Sequence, residues 1–388
     1  YKFYKLFVQN IYGSYTYNTL ENFESIGTAK EIAPTFYGIG YSFDATDNPS
    51  QSDGAASFSS MQLGVYVQDD YQITDNFKFI FGWRIDVPVF MDKPESNEAF
   101  NTAYAKYGVA TGELPSSAPL VSPRFGFNWD VLGDKTFQIR GGTGIFTGRV
   151  PFVWVSNQFS NNGQVNGSYS VGSSASSATP IKDPAGLKFS ADPYNQPTAE
   201  SLGKKSGRGA INVIDNDFKF PQVFRSNLAI DKTIPFGIVA TVEGIFSKTL
   251  NNINFINLNR KVDQNFTFTG VDKRPRYVTG RIDPNFEEII KLENTNEGYS
   301  YNFVAQLQKD FESGFNTMVA YTYGRSFDLN SGTSSVAYSN WRYVNNVNGL
   351  NNLELSPSNF DLGSRIIGLV GYKFKYLNDM ASTHVSLF

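Results

Sequence analysis

Two kinds of connection alternate along this chain of 388 residues. Five times, two strand-like runs of alternating side chains are joined by a very short polar turn. Four times, the next connection is instead a polar stretch of thirty or more residues, rich in Gly, Ser and Asn. Short turns at one end of a sheet and long loops at the other are typical of outer-membrane β-barrels. The sequence therefore predicts an all-β fold, a transmembrane antiparallel up-and-down β-barrel.

The clearest hairpin covers about residues 58–86, with a turn at Thr74-Asp75-Asn76. Successive side chains of a strand point to opposite faces of the sheet. One face is apolar and largely aromatic, with Met61, Leu63, Val65, Val67, Tyr71, Phe77, Phe79, Phe81, Trp83 and Ile85. The other face is mainly polar, with Gln62, Gly64, Tyr66, Gln68, Asp70, Lys78, Ile80, Gly82, Arg84 and Asp86. A soluble sheet would show the same alternation, so this pattern alone does not decide.

Aromatic residues near the ends of the hairpin favour the membrane. Tyr71 and Phe77 flank the turn, and Trp83 follows ~20 Å along the strand at about 3.3 Å per residue. This separation is close to the height of an apolar band bounded by aromatic girdles. We therefore predict that Tyr71, Phe77, Trp83 and Trp129 are girdle residues.

Composition agrees with a barrel and excludes several other classes. Apolar residues make up 40% of the chain, which suits a sheet in which only alternate residues meet lipid. No run approaches the ~18 apolar residues of a membrane helix. The absence of cysteine excludes disulfides and thiolate metal sites, and a net charge of -3 gives no field that favours nucleic acid.

The predicted organisation is a single barrel fragment over residues 1–388 with ten or eleven strands. Residues 1–17 are expected to form one strand, and further hairpins are expected at about 122–147, 222–250 and 298–328. A last hairpin starts near Arg365 and turns near Asn378-Asp379, with an ambiguous phase because Ile366, Ile367, Leu369 and Val370 are all apolar. Long loops are predicted at about 18–56, 87–121, 150–221, 251–297 and 329–360.

Several motifs, in their order along the chain, resemble TonB-dependent outer-membrane receptors. They are VQDDY at 67–71 with FGWRID at 81–86, SPRFGFNWD at 122–130, and RGGTGIF at 140–146. YTYGRS at 321–326 and SNFD at 358–361 are similar to the Oar-like branch common in Bacteroidetes. Members of that branch are large receptors with a carboxypeptidase-regulatory-like domain at the front. The resemblance covers most predicted strands between about 57 and 388, and not the loops.

The resemblance implies a barrel of about 22 strands around an N-terminal plug, opened by the inner-membrane protein TonB. The chain begins at Tyr1 and stops inside a strand-like run, with no recognisable plug or TonB box. We therefore expect it to be part of a longer protein and about half of such a barrel. The implied location is the Gram-negative outer membrane. The implied partners are the lipid bilayer, lipopolysaccharide and TonB, with a surface lipoprotein or assembly partner as a further candidate.

Charged residues on the polar face are the candidate functional residues. Lys78, Arg84, Asp86, Arg124 and Arg140 share this predicted face. A charge on the lipid face would cost ~2–4 kcal/mol at the midplane, whereas charges inside a barrel tune its selectivity. We therefore expect these five side chains to face the lumen. Two roles stay open, pairing with acidic neighbours or a plug on one hand, and substrate contact on the other.

No catalytic residue, cofactor or resident metal is expected. His384 is the only histidine, and we expect a structural or lumen-facing role for it. Glu287 and Glu288 are adjacent, so on a strand they would point to opposite faces, which is poor geometry for shared acid–base work. The RGGTGIF motif lacks the spacing of a phosphate-binding loop. Its glycines indicate either close packing against something inside the barrel, such as a plug, or strand bending.

Two groups of loop residues allow two readings each. Asp44, Asp47 and Asp53 either bind Ca²⁺ through their carboxylates or are simply solvated, because their spacing is not that of an EF-hand. The longest loop contains the aromatic residues Phe152, Trp154 and Tyr169. They either contact a ligand or pack the loop onto its neighbours.

The leading functional hypothesis is the barrel portion of a TonB-dependent receptor that imports a bulky nutrient. The alternative is an outer-membrane barrel that serves a surface or secretion assembly without transport. A soluble β-rich enzyme or lectin would need short connections at both ends of the sheet, and a residue cluster that the sequence does not show.

Overall fold

The computed structural model describes residues 1–6, 11–43, 55–149, 151–207, 209–263, 265–266, 268–378 and 380–388. Within this part of the chain the strands are, in order, β1 (Lys2–Leu6), β2 (Ser14–Thr16), β3 (Phe36–Ser42), β4 (Ala55–Thr74), β5 (Phe77–Phe90), β6 (Leu120–Asp130), β7 (Phe137–Thr147), β8 (Asn166–Gly172), β9 (Ile211–Ile214), β10 (Gln222–Ile234), β11 (Ile238–Asn257), β12 (Arg260–Val262), β13 (Tyr277–Arg281), β14 (Ile289–Thr295), β15 (Tyr299–Asp310), β16 (Phe315–Asp328), β17 (Ser356–Pro357), β18 (Gly363–Tyr376) and β19 (Ala381–Leu387). The α-helices are α1 (Leu20–Glu24), α2 (Glu98–Tyr104), α3 (Phe152–Ser160) and α4 (Ala337–Arg342). Among the described helices, none has the length and apolar character needed to cross a membrane.

One large sheet contains most of the strands. Its path is β1-β4-β5-β6-β7-β10-β11-β15-β16-β18-β19. Every neighbouring pair along this path is antiparallel. The predicted fold class, an up-and-down antiparallel sheet of ten or eleven strands, is confirmed.

Short turns join the strands at one end of this sheet. β4 and β5 are separated only by Asp75 and Asn76, and β15 and β16 by residues 311–314. Gly314 has a φ of 95°, a left-handed conformation that glycine adopts without steric cost. The last turn includes Leu377 and Asn378, while Asp379 lies outside the described residues.

The strand register assigns side chains to the two faces, because residues directly opposite each other in an antiparallel pair share a face. Tyr71 lies opposite Phe79, Trp83 opposite Val67, and Phe77 opposite Trp129. The four predicted girdle residues therefore share one face, which we call the apolar face. The opposite side is the polar face. Asp69 breaks the alternation, since it lies opposite Phe81 on the apolar face.

The register also decides the phase of the last hairpin. Ile366 lies opposite Tyr321 on the apolar face, and Ile367 lies opposite Ala320 on the polar face. His384 lies opposite Lys373 on the polar face. The His384 Nε2 atom is 3.1 Å from the Nδ2 atom of Asn316 on β16. His384 thus has a structural hydrogen bond on the face where it was expected.

The start of the chain differs from its prediction. Residues 1–17 were expected to form one strand, but they hold two strands in different sheets. β1 pairs with β4 in the large sheet, whereas β2 pairs with β3 in a separate three-stranded sheet that also includes β8. Gly13, with a φ of 76°, turns the chain just before β2.

The long connections at the other end of the large sheet fold into a layer of their own. We call this the loop layer, and it comprises α2, α3, α4, β9, β14 and the segments around them. β14 pairs with β11 on one side and with β9 on the other. The long loop predicted at 251–297 is therefore not all loop, because β11 extends into its start and β14 lies at its end. The core of the layer buries Val155, Ile214, Phe255, Leu292 and Trp341.

The loop layer packs on the polar face, not beside it. Phe58 shares the polar face with Gln62, and Leu120 lies opposite Asp86. Phe58 is only 1% exposed, and its ring stacks on that of Phe159 with centroids 4.6 Å apart. Leu120 belongs to the same buried cluster. The end of the polar face that bears the long connections is therefore covered.

The aromatic residues of the longest loop pack inside the fold. Phe152 and Trp154 of α3 lie against the buried cluster that contains Phe58. Tyr169 of β8 lies against a second cluster, formed around Tyr37 of β3. Of the two readings that the sequence left open, the structure supports packing for all three.

Replacing Phe58 with alanine should loosen the loop layer. Loss of a fully buried phenylalanine removes its contacts and leaves a cavity, which costs about 3–5 kcal/mol. We expect the free energy of unfolding to fall by that order and amide exchange in α3 to accelerate. Urea unfolding and hydrogen exchange of the protein in detergent measure these effects.

Tyr343→Ala is the control, because this loop side chain is 75% exposed. Equal effects of the two substitutions would contradict the packing of the loop layer through Phe58.

Candidate functional site on the polar face

Lys78, Arg84 and Arg140 form ion pairs on the polar face. The pairs of Lys78 and Arg140 join neighbouring strands, and that of Arg84 lies within a single strand. Lys78 Nζ lies 2.6 Å from Asp70 across β4 and β5. Arg84 Nε lies 2.7 Å from Asp86 within β5. Arg140 Nε on β7 lies 2.9 Å from Asp231 on β10. The candidate residues of the sequence thus include members of all three pairs.

The Arg84–Asp86 pair is the most enclosed of these. Asp86 is 2% exposed, and both of its carboxylate oxygens accept hydrogen bonds from Arg84, at 2.7 and 2.8 Å. Gln62 donates a further bond of 3.3 Å to Asp86. A Cβ atom on Gly64 would lie 2.6 Å from Arg84 Nη2. Gly64 therefore leaves the space in which the guanidinium reaches a carboxylate that is too costly to bury unpaired.

Arg140 belongs to a network that spans three strands. Asp231 also accepts a hydrogen bond of 2.7 Å from Thr241, and Glu243 lies 4.0 Å from the Arg140 guanidinium. Asn227 in turn donates a 3.0 Å bond to Glu243. Such networks hold their members in one arrangement, because each polar group is satisfied by the next.

Sequence reasoning did not select the acidic partners of Arg140. Asp231 and Glu243 lie on the third hairpin, where only the turn was interpreted. The alternation of Arg225, Asn227 and Asp231 along β10 was the signal that could have found them. The pairing itself is visible only from the register of β7, β10 and β11.

Arg124 differs from the other candidates. Its guanidinium lies over the ring of Phe146, 4.7 Å from the centroid, which is a cation–π contact. It lies opposite Gly82 on β5 and Gly144 on β7. All five charged candidates therefore share the polar face, and four of them are engaged in ion pairs. That this face lines a lumen stays a prediction.

The glycines of β7 have steric reasons to be glycine. A Cβ atom on Gly144 would lie 3.1 Å from Cγ of Arg124, and one on Gly141 would lie 2.8 Å from the ring of Phe127. Both positions carry neighbouring side chains laid flat over the strand. Contacts with the neighbouring strand account for these two glycines. Packing against something inside the barrel and strand bending both stay predictions, and the motif is part of a strand.

The loop layer above the polar face contains a buried amide network. Asn351 accepts bonds from the indole of Trp341 at 2.7 Å and from the backbone of Asn257 at 2.9 Å. The Asn257 side chain donates a 2.6 Å bond to Glu288, which also pairs with Arg260. These bonds compensate for the burial of polar groups and hold the connections in one arrangement.

Burial perturbs tyrosines in the small sheet of β2, β3 and β8. Burial raises the pKa of Tyr41 to about 12, and the carboxylate of Glu200 adds to this rise. The Tyr41 hydroxyl donates to Glu200 at 3.0 Å. Burial also raises the pKa of Tyr37 far above its usual value. Both phenols therefore stay neutral at physiological pH.

The structure does not test the calcium ligands suggested by the sequence. Asp44, Asp47 and Asp53 lie outside the described residues. In the part of the chain that the structure describes, no three His, Cys, Asp or Glu side chains are grouped to hold a metal ion. Glu287 and Glu288 bind different partners, Arg281 and Arg260.

These features define a membrane protein that crosses the bilayer with strands. The chain belongs to the outer membrane beta barrel domain family, whose model matches residues 1–385. The protein therefore lies in the outer membrane. It is a barrel protein.

Solved outer-membrane transporters and receptors are similar to this chain at low sequence identity. The transporter YddB from Escherichia coli is 13% identical with a TM-score of 0.45, over 84% of this chain and 32% of that one. The FrpB iron transporter from Neisseria meningitidis is 10% identical with a TM-score of 0.39, over 82% of this chain and 32% of that one. A mutant of the ferric enterobactin receptor PfeA from Pseudomonas aeruginosa is 8% identical with a TM-score of 0.42, over 90% of this chain and 44% of that one.

The chain thus spans less than half of the length of these three structures. A search of curated proteins found no match.

Replacing Arg84 with alanine should destabilise the sheet. It leaves the buried Asp86 carboxylate without its main donor, and an unsatisfied buried group costs about 1–3 kcal/mol. Urea unfolding in detergent, followed by tryptophan fluorescence, should show a lower midpoint with an unchanged slope.

Lys78→Ala is the matched control, because both members of the Lys78–Asp70 pair are more than a third exposed. Such a pair contributes about 0–1 kcal/mol. A loss as large for Lys78 as for Arg84 would contradict the role assigned to burial.

The small sheet should loosen in alkali. The pKa of Tyr41 is raised from 10.0 to about 12, so its contribution to stability is complete below pH 10 and is lost as the pH rises towards 12. The reason is that the unfolded chain releases the phenolic proton first. Near-ultraviolet circular dichroism and tyrosinate absorbance, recorded against pH, measure the transition.

Tyr41→Phe should make this alkaline loss shallower, whereas Tyr194→Phe, at a half-exposed position, should leave it in place. An identical pH profile for wild type and Tyr41→Phe would count against the assignment.

Proposed function

We propose that this chain forms part of the barrel of a TonB-dependent outer-membrane receptor of the Oar-like branch. In this proposal the apolar face meets lipid, and Tyr71, Phe77, Trp83 and Trp129 lie at the membrane interfaces. The polar face lines the lumen, where Lys78, Arg84, Asp86, Arg124 and Arg140 meet water, a plug or solute.

The covered polar face is the observation that carries the proposal. The loop layer packs onto the polar face through Phe58 and Leu120, and its own core consists of buried apolar side chains. A barrel whose mouth is filled in this way is not an open diffusion pore. Passage of a bulky solute then requires that something inside moves, which needs energy from outside the barrel.

The partners of the proposed receptor follow from its position. The lipid bilayer surrounds the apolar face, and lipopolysaccharide surrounds its outer part. The inner-membrane protein TonB supplies energy through an N-terminal plug, and a surface lipoprotein is a candidate for delivering solute to the loop layer. The substrate is proposed only as bulky, since an open pore suffices for small solutes.

Deletion of TonB should abolish the uptake that depends on this protein. Cells with and without the gene would be compared for accumulation of labelled peptides, oligosaccharides and ferric siderophores. The difference between the two strains should disappear when TonB is absent, because the plug is no longer displaced. The amount of the protein in isolated outer membranes is the control.

Uptake that persists without TonB would contradict the proposal. A full complement of the protein with no uptake difference for any solute class would favour the alternative, a barrel that serves a surface or secretion assembly.

A further inference from the structure

A row of side chains crosses the polar face at mid-height without any acidic member. The register places Gly82, Arg124, Gly144 and Arg225 directly opposite one another on β5, β6, β7 and β10. On one side the row continues with Gln68, and on the other with Ser247. We call these six residues the arginine row. Its two arginines alternate with glycines.

The two arginines lack the carboxylate partners that three other cations of the same face have. Lys78, Arg84 and Arg140 each have a carboxylate oxygen within 2.9 Å. Within the residues that the structure describes, neither Arg124 nor Arg225 forms an ion pair. Arg225 Nε donates to the hydroxyl of Ser247 at 3.0 Å, and Arg124 rests on the Phe146 ring. Both contacts leave the positive charges uncompensated.

Glycines keep the surroundings of Arg124 open. Gly82 and Gly144 flank it on the neighbouring strands, and Gly126 is the next residue on the same face of its own strand. Gly126 in turn lies opposite Gly142. A Cβ atom on Gly144 would lie 3.1 Å from Cγ of Arg124, so this glycine leaves room for the arginine side chain.

A cavity opens beside Gly82 and Arg124. It has a volume of about 240 Å³ and is lined from the polar face by Tyr66, Gln68, Arg84 and Arg124. This volume is smaller than the ~300–1,000 Å³ of sites for drug-sized ligands. It fits one compact polar group. The lining includes no carboxylate, and its two guanidinium groups differ, since that of Arg84 is bound to Asp86 and that of Arg124 is not in an ion pair.

The second arginine lies within reach of the same group. Arg124 and Arg225 are two strands apart, so their Cα atoms are separated by about 10 Å at the usual strand spacing. Two long side chains on one face span this distance when they turn towards each other. A guanidinium binds carboxylate and phosphate with paired hydrogen bonds in a fixed geometry.

We propose that the arginine row binds the carboxylate or phosphate group of an anionic solute. Arg124 provides the main contact, Arg225 adds charge from two strands away, and the glycines provide room. The inference deepens the proposed function, since it takes the polar face as the lumen and gives the solute an anionic group. The competing occupant is an acidic side chain of the protein itself.

Calorimetric titration of the intact protein in detergent tests this site with two probes, citrate and inorganic phosphate. At low salt we expect at least one of them to bind, and added NaCl to weaken binding because the contacts are ionic. Arg124→Gln and Arg225→Gln should each weaken binding about tenfold or more, as expected for loss of a charge-assisted bond. Arg124→Lys should recover part of it, since the charge remains without the fork.

Lys78→Gln is the matched control, because it removes one positive charge from the same face at a position already paired with Asp70. It should leave binding unchanged. The proposal is overturned if neither probe binds, or if Lys78→Gln weakens binding as much as Arg124→Gln. If neither probe binds and Arg124→Gln also lowers the unfolding temperature more than Lys78→Gln does, the partner of Arg124 is an acidic side chain of the protein itself.

Binding in detergent does not require TonB. Failure of the arginine row is therefore distinguishable from failure of energy-coupled uptake.

Discussion

The antiparallel hydrogen-bond ladder is the constraint on which the rest of this structure depends. In lipid no water is present to satisfy backbone N–H and C=O groups, so each strand must bond its neighbours along its whole membrane length. A ladder of this kind allows only one register, because a slip by one residue would turn every apolar side chain to the wrong face. The register in turn brings Gly64 to Arg84 and Gly144 to Arg124.

The polar face shows how charge is accommodated within such a ladder. Asp86 is buried because Arg84 and Gln62 satisfy it, and Arg140 is held by acids from two further strands. Towards the end with the long connections, the polar face becomes apolar at Phe58 and Leu120, where the loop layer packs on it. The polar face therefore carries charged residues at mid-height and supports the loop layer at the end with the long connections.

Local pattern predicted the hairpins, both faces of the first two, and the charged candidates, because alternation and turn residues act over a few residues. The pattern failed where local cues are ambiguous or absent. Ile366 and Ile367 are both apolar, so only pairing with β16 separates them. Residues 1–17 alternate like one strand but belong to two sheets. Asp231 and Glu243 became visible as partners of Arg140 only through the register.

The sequence by itself determined the class of fold and the two faces of the first hairpin, since the period of two and the short turns act over a few residues. Tertiary structure alone decided the loop layer and the contacts on the polar face. The stacking of Phe58 on Phe159 and the bond of Asn257 to Glu288 join residues far apart in the chain. No local pattern encodes such contacts, because they form only when the whole ladder has brought its strands into register.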